Sequence, residues 1–256
     1  MEYDTLNYEQ KDAIGVLTLN RPEHLNAVNQ KMIDELEGFW TKKMYDLDTR
    51  VLILAGAGDR AFCAGLDMKE APQEMSKLSP GELYQFQMKI SRLQLLMRQV
   101  PQPIICAIHK SAVGVGFSFA MASDMRIITP EARFCAAYIN VGVGGADVGS
   151  SYFLPRLIGA GRAYEFLLIG DFMGADEALS LGFVSRMVSY NELMPAAMET
   201  AAKMVSKNPL GLRLTKEAIN QNLDAGGLEQ VLQMENRNQV LCILANMLQG
   251  SLPVSR

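Results

Sequence analysis

The feature that most constrains this chain is an alternation of short aliphatic runs with helical periodicity through its first half. Residues 13–20 (AIGVLTLN) are rich in β-branched and aliphatic side chains and stop at Arg21-Pro22, the pattern of a strand ending in a turn. After Asn29, a suitable helix N-cap, apolar residues fall at Met32, Ile33, Leu36, Trp40 and Met44 on one helical face. Residues 51–55 then read as a buried strand, 83–100 as a helix, 104–108 as a strand, 116–122 as a short apolar helix and 125–129 as a strand. Strands alternating with helices predict an α/β core with parallel pairing.

From Tyr152 onward helical patterns dominate, at 162–169, 176–181, 193–207, 210–223 and 228–248, and only 183–188 reads as a further strand. Pro209 suits the first turn of its helix with Asn208 as cap, and Gly226-Gly227 separates that helix from the last one. No linker rich in Pro, Ser or charge interrupts the chain. The expectation is one continuous unit, with a core over 1–190 and a helical lid or oligomerisation region over 191–256.

The chain has 256 residues, enough to bury about three quarters of its unfolded surface. Hydrophobic residues make up 49%, charged residues 20%, and the net charge is −4, which fits a soluble globular protein and gives no basic surface for nucleic acid. The longest apolar runs, near 103–108 and 117–122, are too short to cross a bilayer, and Met1-Glu2-Tyr3-Asp4 opens no signal peptide. A cytoplasmic protein with no membrane partner is expected. Cys63, Cys106, Cys135 and Cys242 lack CxxC spacing and read as reduced thiols among apolar neighbours. With His24 and His109 as the two histidines and no HExxH pattern, no metal site is expected.

Two segments carry chemistry: Ala61-Phe-Cys-Ala-Gly-Leu-Asp67 and, about fifty residues later, Ala112-Val-Gly-Val-Gly-Phe-Ser118. Each sets small residues at a turn leading towards a helical stretch, where the first backbone N–H groups lack intrahelical partners. Two such groups converging on one point make an oxyanion hole, the device of an enzyme that polarises an acyl group.

These turns occur in order with Leu19-Asn-Arg-Pro-Glu-His-Leu-Asn-Ala-Val28, Val100-Pro-Gln-Pro-Ile-Ile-Cys-Ala-Ile108, Ala122-Ser-Asp124, Leu154-Pro-Arg-Leu-Ile-Gly159 and Gly174-Ala-Asp-Glu-Ala-Leu-Ser-Leu-Gly-Phe-Val184. On these segments the chain resembles the crotonase superfamily, also called the enoyl-CoA hydratase/isomerase family, over residues 3–235. The resemblance implies a crotonase-like ββα spiral core with a helical C-terminal trimerisation region, in a homotrimer or a hexamer built as a dimer of trimers. It implies a coenzyme A thioester as substrate and no prosthetic group. It also implies a thioester oxygen held by the backbone N–H of Ala64 and of Val115, with Leu25, Ala27, Leu66 and Asp67 on the coenzyme side. His24 falls on the side of the expected phosphates, but an exposed polar turn residue is its better reading.

Hydratases of this family usually carry two glutamates, whose positions here fall on Ser118 and on Tyr138 or Ile139. Addition of water is best served by two positioned carboxyl groups, so these replacements count against an ordinary hydratase. Val115 and Lys110 stand where the family commonly has glycine. Asp147, seven residues before Leu154, matches by spacing the aspartate that serves as base or nucleophile in dienoyl-CoA isomerases and aryl-CoA dehalogenases of the superfamily. It reads either as the main acid/base or as a cap for a helix starting near Val148.

Tyr138 reads as a hydrogen-bond donor or as pocket packing, Ser118 as a small helix-packing residue, His109 as a structural hydrogen-bonder, and Glu70 and Glu74 as solvated helix residues. Three functions stand open: proton transfer on an enoyl-CoA with isomerisation ahead of hydration, dehalogenase-like attack by Asp147 on an aryl-CoA, and non-catalytic acyl-CoA binding. The chain ends in Gln249-Gly-Ser-Leu-Pro-Val-Ser-Arg256, where the family commonly continues into a pocket-closing helix.

Overall fold

The computed structural model describes residues 3–248. β1 (Leu6–Lys11) and β2 (Ile14–Leu19) form an antiparallel hairpin that turns through Asp12 at φ 53°. α1 (Gln30–Lys43) begins at Asn29, whose side chain accepts from Met32 N at 3.1 Å. β3 (Val51–Gly56), β4 (Ala61–Cys63), α2 (Ala71–Met75), α3 (Pro80–Gln99), β5 (Ile104–Ile108), β6 (Ser111–Val113), α4 (Val115–Ala122), β7 (Met125–Ile128) and β8 (Arg133–Cys135) follow. The remainder comprises α5 (Ser150–Ile158), α6 (Ala160–Ile169), β9 (Met173–Gly174), α7 (Ala175–Ser180), β10 (Arg186–Met187), α8 (Tyr190–Val205), α9 (Pro209–Asn222) and α10 (Leu228–Leu248).

The strands lie in two sheets, ordered β1-β2-β3-β5-β7-β10 and β4-β6-β8-β9. Each of the passes β3 then β4, β5 then β6, and β7 then β8 sends one strand to each sheet, and successive passes pair in parallel. Helices fill the intervals, so the chain winds as the expected spiral of two strands and a helix per turn.

β3 and β5 are apolar throughout because both their faces are covered. Leu52, Leu54, Ile104, Cys106 and Ile108 join the large core with Met32, Leu36 and Trp40 of α1 and Leu93 and Met97 of α3. The alternate residues Val51, Ile53, Ile105 and Ala107 pack against Leu193, Ala197 and Ala201 of α8. The helical region beginning at 191 therefore opens with a helix that closes the core.

The hairpin strand β1 has no counterpart among the strands expected, because Leu6 is its one buried residue and its sequence carries no apolar run. The strand expected over 183–188 contracts to Arg186–Met187. Phe183 instead fills an aromatic cluster, with ring centroids 5.4 Å from Phe117 and 5.0 Å from Phe134. α10 has no buried residue and exposes Leu228, Val240, Leu241, Leu244 and Met247. The segment from Gln249 to Arg256 lies outside the described residues. Among the described residues no helix is long and apolar enough to cross a membrane.

Candidate active site

The two turns identified from sequence follow neighbouring strands. β4 pairs in parallel with β6, Cys63 opposite Ala112, so both chains leave the small sheet side by side. Gly65 (φ 94°) is pressed so closely on the second turn that a Cβ there would lie 3.0 Å from Val113 O. A Cβ on Gly116 would meet Cys63 O at 2.5 Å, so only glycine lets α4 approach the end of β4.

Backbone hydrogen bonding decides which N–H groups these turns can offer. Ala64 N donates to Leu25 O at 3.0 Å and Asp67 N to Val28 O at 2.9 Å, while Gly114 N donates to Cys135 O at 2.9 Å. No backbone or side-chain acceptor takes the N–H of Leu66 or of Val115 among the described residues. Val115 is the first residue of α4, where no intrahelical partner exists. The expectation that Ala64 supplies a free N–H is thereby corrected: its donor is spent on the Leu25 turn, and Leu66 carries the free group of this segment.

The first turn is pinned by a buried ion pair. Arg21 Nη1 donates to Asp67 Oδ2 at 2.9 Å and to Ala27 O at 2.7 Å, and Nη2 reaches Glu70 Oε1 at 2.9 Å. Burial alone would raise the Asp67 carboxyl, but hydrogen bonds from Lys69 N and Arg21 outweigh it and hold the group below the usual carboxylate range. Glu70 also accepts from Asn29 Nδ2 at 3.1 Å, which corrects its reading as a merely solvated residue. Asn26, fully buried, donates to Ala57 O and Ala61 O, each at 2.9 Å. Leu25 and Asn26 both adopt left-handed backbone, at φ 57° and 54°. Leu25 is exposed, Leu66 half-buried against the core, and Ala27 and Asp67 buried, so of these four Leu25 alone presents its side chain fully at the surface.

At the second turn, Tyr138 lies against Gly114, where an added Cβ would sit 3.6 Å from its ring. The Tyr138 hydroxyl is 2.9 Å from Ser118 Oγ, one helical turn into α4. Burial, and behind it the negative charge of Asp147, pushes the phenol well above its ordinary value, so it stays neutral. Asp147 stands in the loop that leads into α5. Its Oδ1 accepts from Gln87 Nε2 of α3 at 2.5 Å and from Val148 N at 2.7 Å. The start of α5 takes no side-chain cap, so Asp147 holds the adjacent amide rather than capping the helix. Val148 sits at φ 38°, a costly backbone for a β-branched residue.

Other candidates fall away from this centre. His109 is buried, its ring packs edge-on to Tyr190 at 5.7 Å, and Nε2 has no partner among the described residues. Burial, then Lys110, lowers its pKa, which keeps it neutral. His24 is exposed beside Glu23. Lys110 adopts φ 52°, which accounts for glycine at this position in the family pattern. Burial pushes the Cys63 and Cys106 thiols up to about 12, so neither is a nucleophile at neutral pH. No group of three or more His, Cys, Asp or Glu side chains suited to a metal occurs among the described residues. Sequence reasoning passed over Arg21, Asn26 and Gln87.

A family model described as enoyl-CoA hydratase/isomerase matches residues 9–251. A Mycobacterium leprae protein named a probable enoyl-CoA hydratase is 36% identical over 90% of this chain and 79% of its own. The crystal structure of an enoyl-CoA hydratase from Bacillus anthracis superimposes with a TM-score of 0.86 at 32% identity, covering 92% of this chain and 90% of that one. A monofunctional enoyl-CoA isomerase from M. smegmatis gives a TM-score of 0.74 at 31% identity, covering 90% and 98%. With its ββα spiral and paired turns, this chain belongs to the enoyl-CoA hydratase/isomerase family and is an acyl-CoA enzyme of that type.

Proposed function

We propose that the protein moves a proton on an enoyl-CoA thioester, with Asp147 as main acid and base and the N–H groups of Leu66 and Val115 holding the thioester oxygen. The observation that carries this reading is a pair of touching turns, each with an unengaged N–H, in a chain whose Asp147 carboxylate is held through Oδ1 by Gln87 and Val148 N. Removing a proton beside a thioester sends charge onto the thioester oxygen, and a preorganised donor at that point is worth roughly 3–4 kcal/mol. The coenzyme end is read against Leu25, Ala27, Leu66 and Asp67. There Asp67 acts by holding the turn through Arg21. The exposed apolar residues of α10 support a subunit contact in a homotrimer or hexamer, which sedimentation would test.

One carboxylate can take a proton from one carbon and return it to another, so double-bond isomerisation is the favoured reaction. Ser118 and Tyr138, bonded to each other, supply no second carboxyl group. Hydration is the second reading, supported by the hydratase names of the M. leprae and B. anthracis relatives. A 3-enoyl-CoA should gain conjugated-enoyl absorbance with the protein, and crotonyl-CoA should lose it only if hydration occurs. Asp147→Asn should lower turnover at least about a hundredfold. Unchanged turnover would leave the aspartate without its role, and tight binding with no turnover of either thioester would make the protein a binder.

A further inference from the structure

We propose that Gln87 is a positioning residue that selects which oxygen of Asp147 moves the proton, an inference that rests on the reading of Asp147 as acid and base. The two residues are 60 positions apart, so their hydrogen bond is made by the fold rather than by local sequence. Gln87 Nε2 at 2.5 Å and Val148 N at 2.7 Å both donate to Oδ1. Oδ2 has no hydrogen-bond partner among the described residues.

A carboxylate gripped twice through one oxygen cannot turn without losing both bonds, and the ungripped oxygen keeps its lone pairs for a proton. The grip is rigid on both sides. Gln87 lies one helical turn before the buried Ile90 on α3, a helix held by Leu93, Leu96 and Met97 and started by the Ser79–Glu82 capping box. On the other side, Asp147 N donates to Ser150 Oγ at 3.0 Å and Ser150 N returns a bond to Asp147 O at 2.8 Å. A neutral amide grips the carboxylate without changing its charge. A glutamate in its place would repel it once both were ionised.

Proton abstraction by this arrangement runs from the acyl α-carbon to Oδ2, while the C–H electron pair moves onto the thioester oxygen as an enolate. The return step reverses both transfers, so a saturated thioester exchanges its α-proton with solvent and undergoes no net reaction. Exchange of the α-protons of butyryl-CoA in heavy water, followed by proton NMR, therefore isolates the step from any later hydration or isomerisation.

Gln87→Leu should lower the maximal exchange rate about ten- to a hundredfold with KM within about twofold, the signature of a misplaced base. Gln87→Glu, matched in length, should be impaired at pH 8 and regain exchange at pH 5, which a purely structural role would not produce. In the double variant, Gln87→Leu should add nothing to Asp147→Asn. Wild-type exchange in Gln87→Leu alongside inactive Asp147→Asn would overturn the positioning role while sparing the aspartate. Multiplicative losses in the double variant would also overturn it, because Gln87 would then act independently of Asp147. Full exchange in Asp147→Asn, or none in the wild type, would remove the aspartate reading and this inference with it.

Discussion

Ser118 Oγ and the Tyr138 hydroxyl lie 2.9 Å apart, with Ser118 fully buried and the tyrosine nearly so. By the family resemblance these are the positions at which hydratases carry carboxyl groups, and here the two side chains satisfy each other. The phenol is locked in its neutral form, so it cannot serve as a base at any ordinary pH.

Tyr138→Phe should therefore cost stability more than chemistry. It strands a buried hydroxyl, a loss of about 1–3 kcal/mol in the free energy of unfolding. Turnover should stay within about tenfold, given that the ring still packs on Gly114. Urea unfolding and steady-state kinetics on the same sample check both. A thousandfold fall in kcat with intact stability would make the phenol the second acid and bring hydration back ahead of isomerisation.

Val115 offers a way to delete one backbone donor without touching its helix. It is the first residue of α4, the position at which proline is best tolerated because the N–H there is unpaired in any helix. Val115→Pro should leave the far-ultraviolet spectrum close to wild type and lower kcat about 10²- to 10³-fold, whereas Val115→Ala, which keeps the N–H, should stay within about tenfold. Equal activity in the two variants would show that this N–H does not meet developing charge.

What could be read from the sequence was whatever depends on neighbours along the chain. The five apolar residues of β5, the caps Asn29 and Asn208, and the glycine break before α10 reappear in the structure because strand burial and helix capping are local. The turns at Gly65 and Gly114 were visible for the same reason. Which N–H remains free was not visible, since Ala64 loses its donor to Leu25, 39 positions earlier. Arg21 and Asn26 look like ordinary turn residues until two distant turns meet around them. Gln87 looks like one more polar helix residue until α3 is laid beside the Asp147 loop.

Arg21 and Asp67 make the last prediction, because their pair is buried on both sides, with side-chain exposures of 8% and 4%. Removing one partner of such a pair leaves the other charge uncompensated, so Asp67→Asn should cost about 3 kcal/mol near neutral pH. Glu70, which also reaches Arg21, limits that loss by leaving the guanidinium one carboxylate partner. The folded chain holds the Asp67 carboxyl below its ordinary value, against burial, through Lys69 N and Arg21. Its contribution is therefore complete above the unfolded carboxyl's pKa of about 4 and declines as pH falls from there through the lowered folded value. Urea midpoints at pH 7 and pH 3 should show the wild type and Asp67→Asn well apart at the first and closer together at the second. A constant gap at both would mean that the pair's charge does not stabilise the turn that presents Leu66.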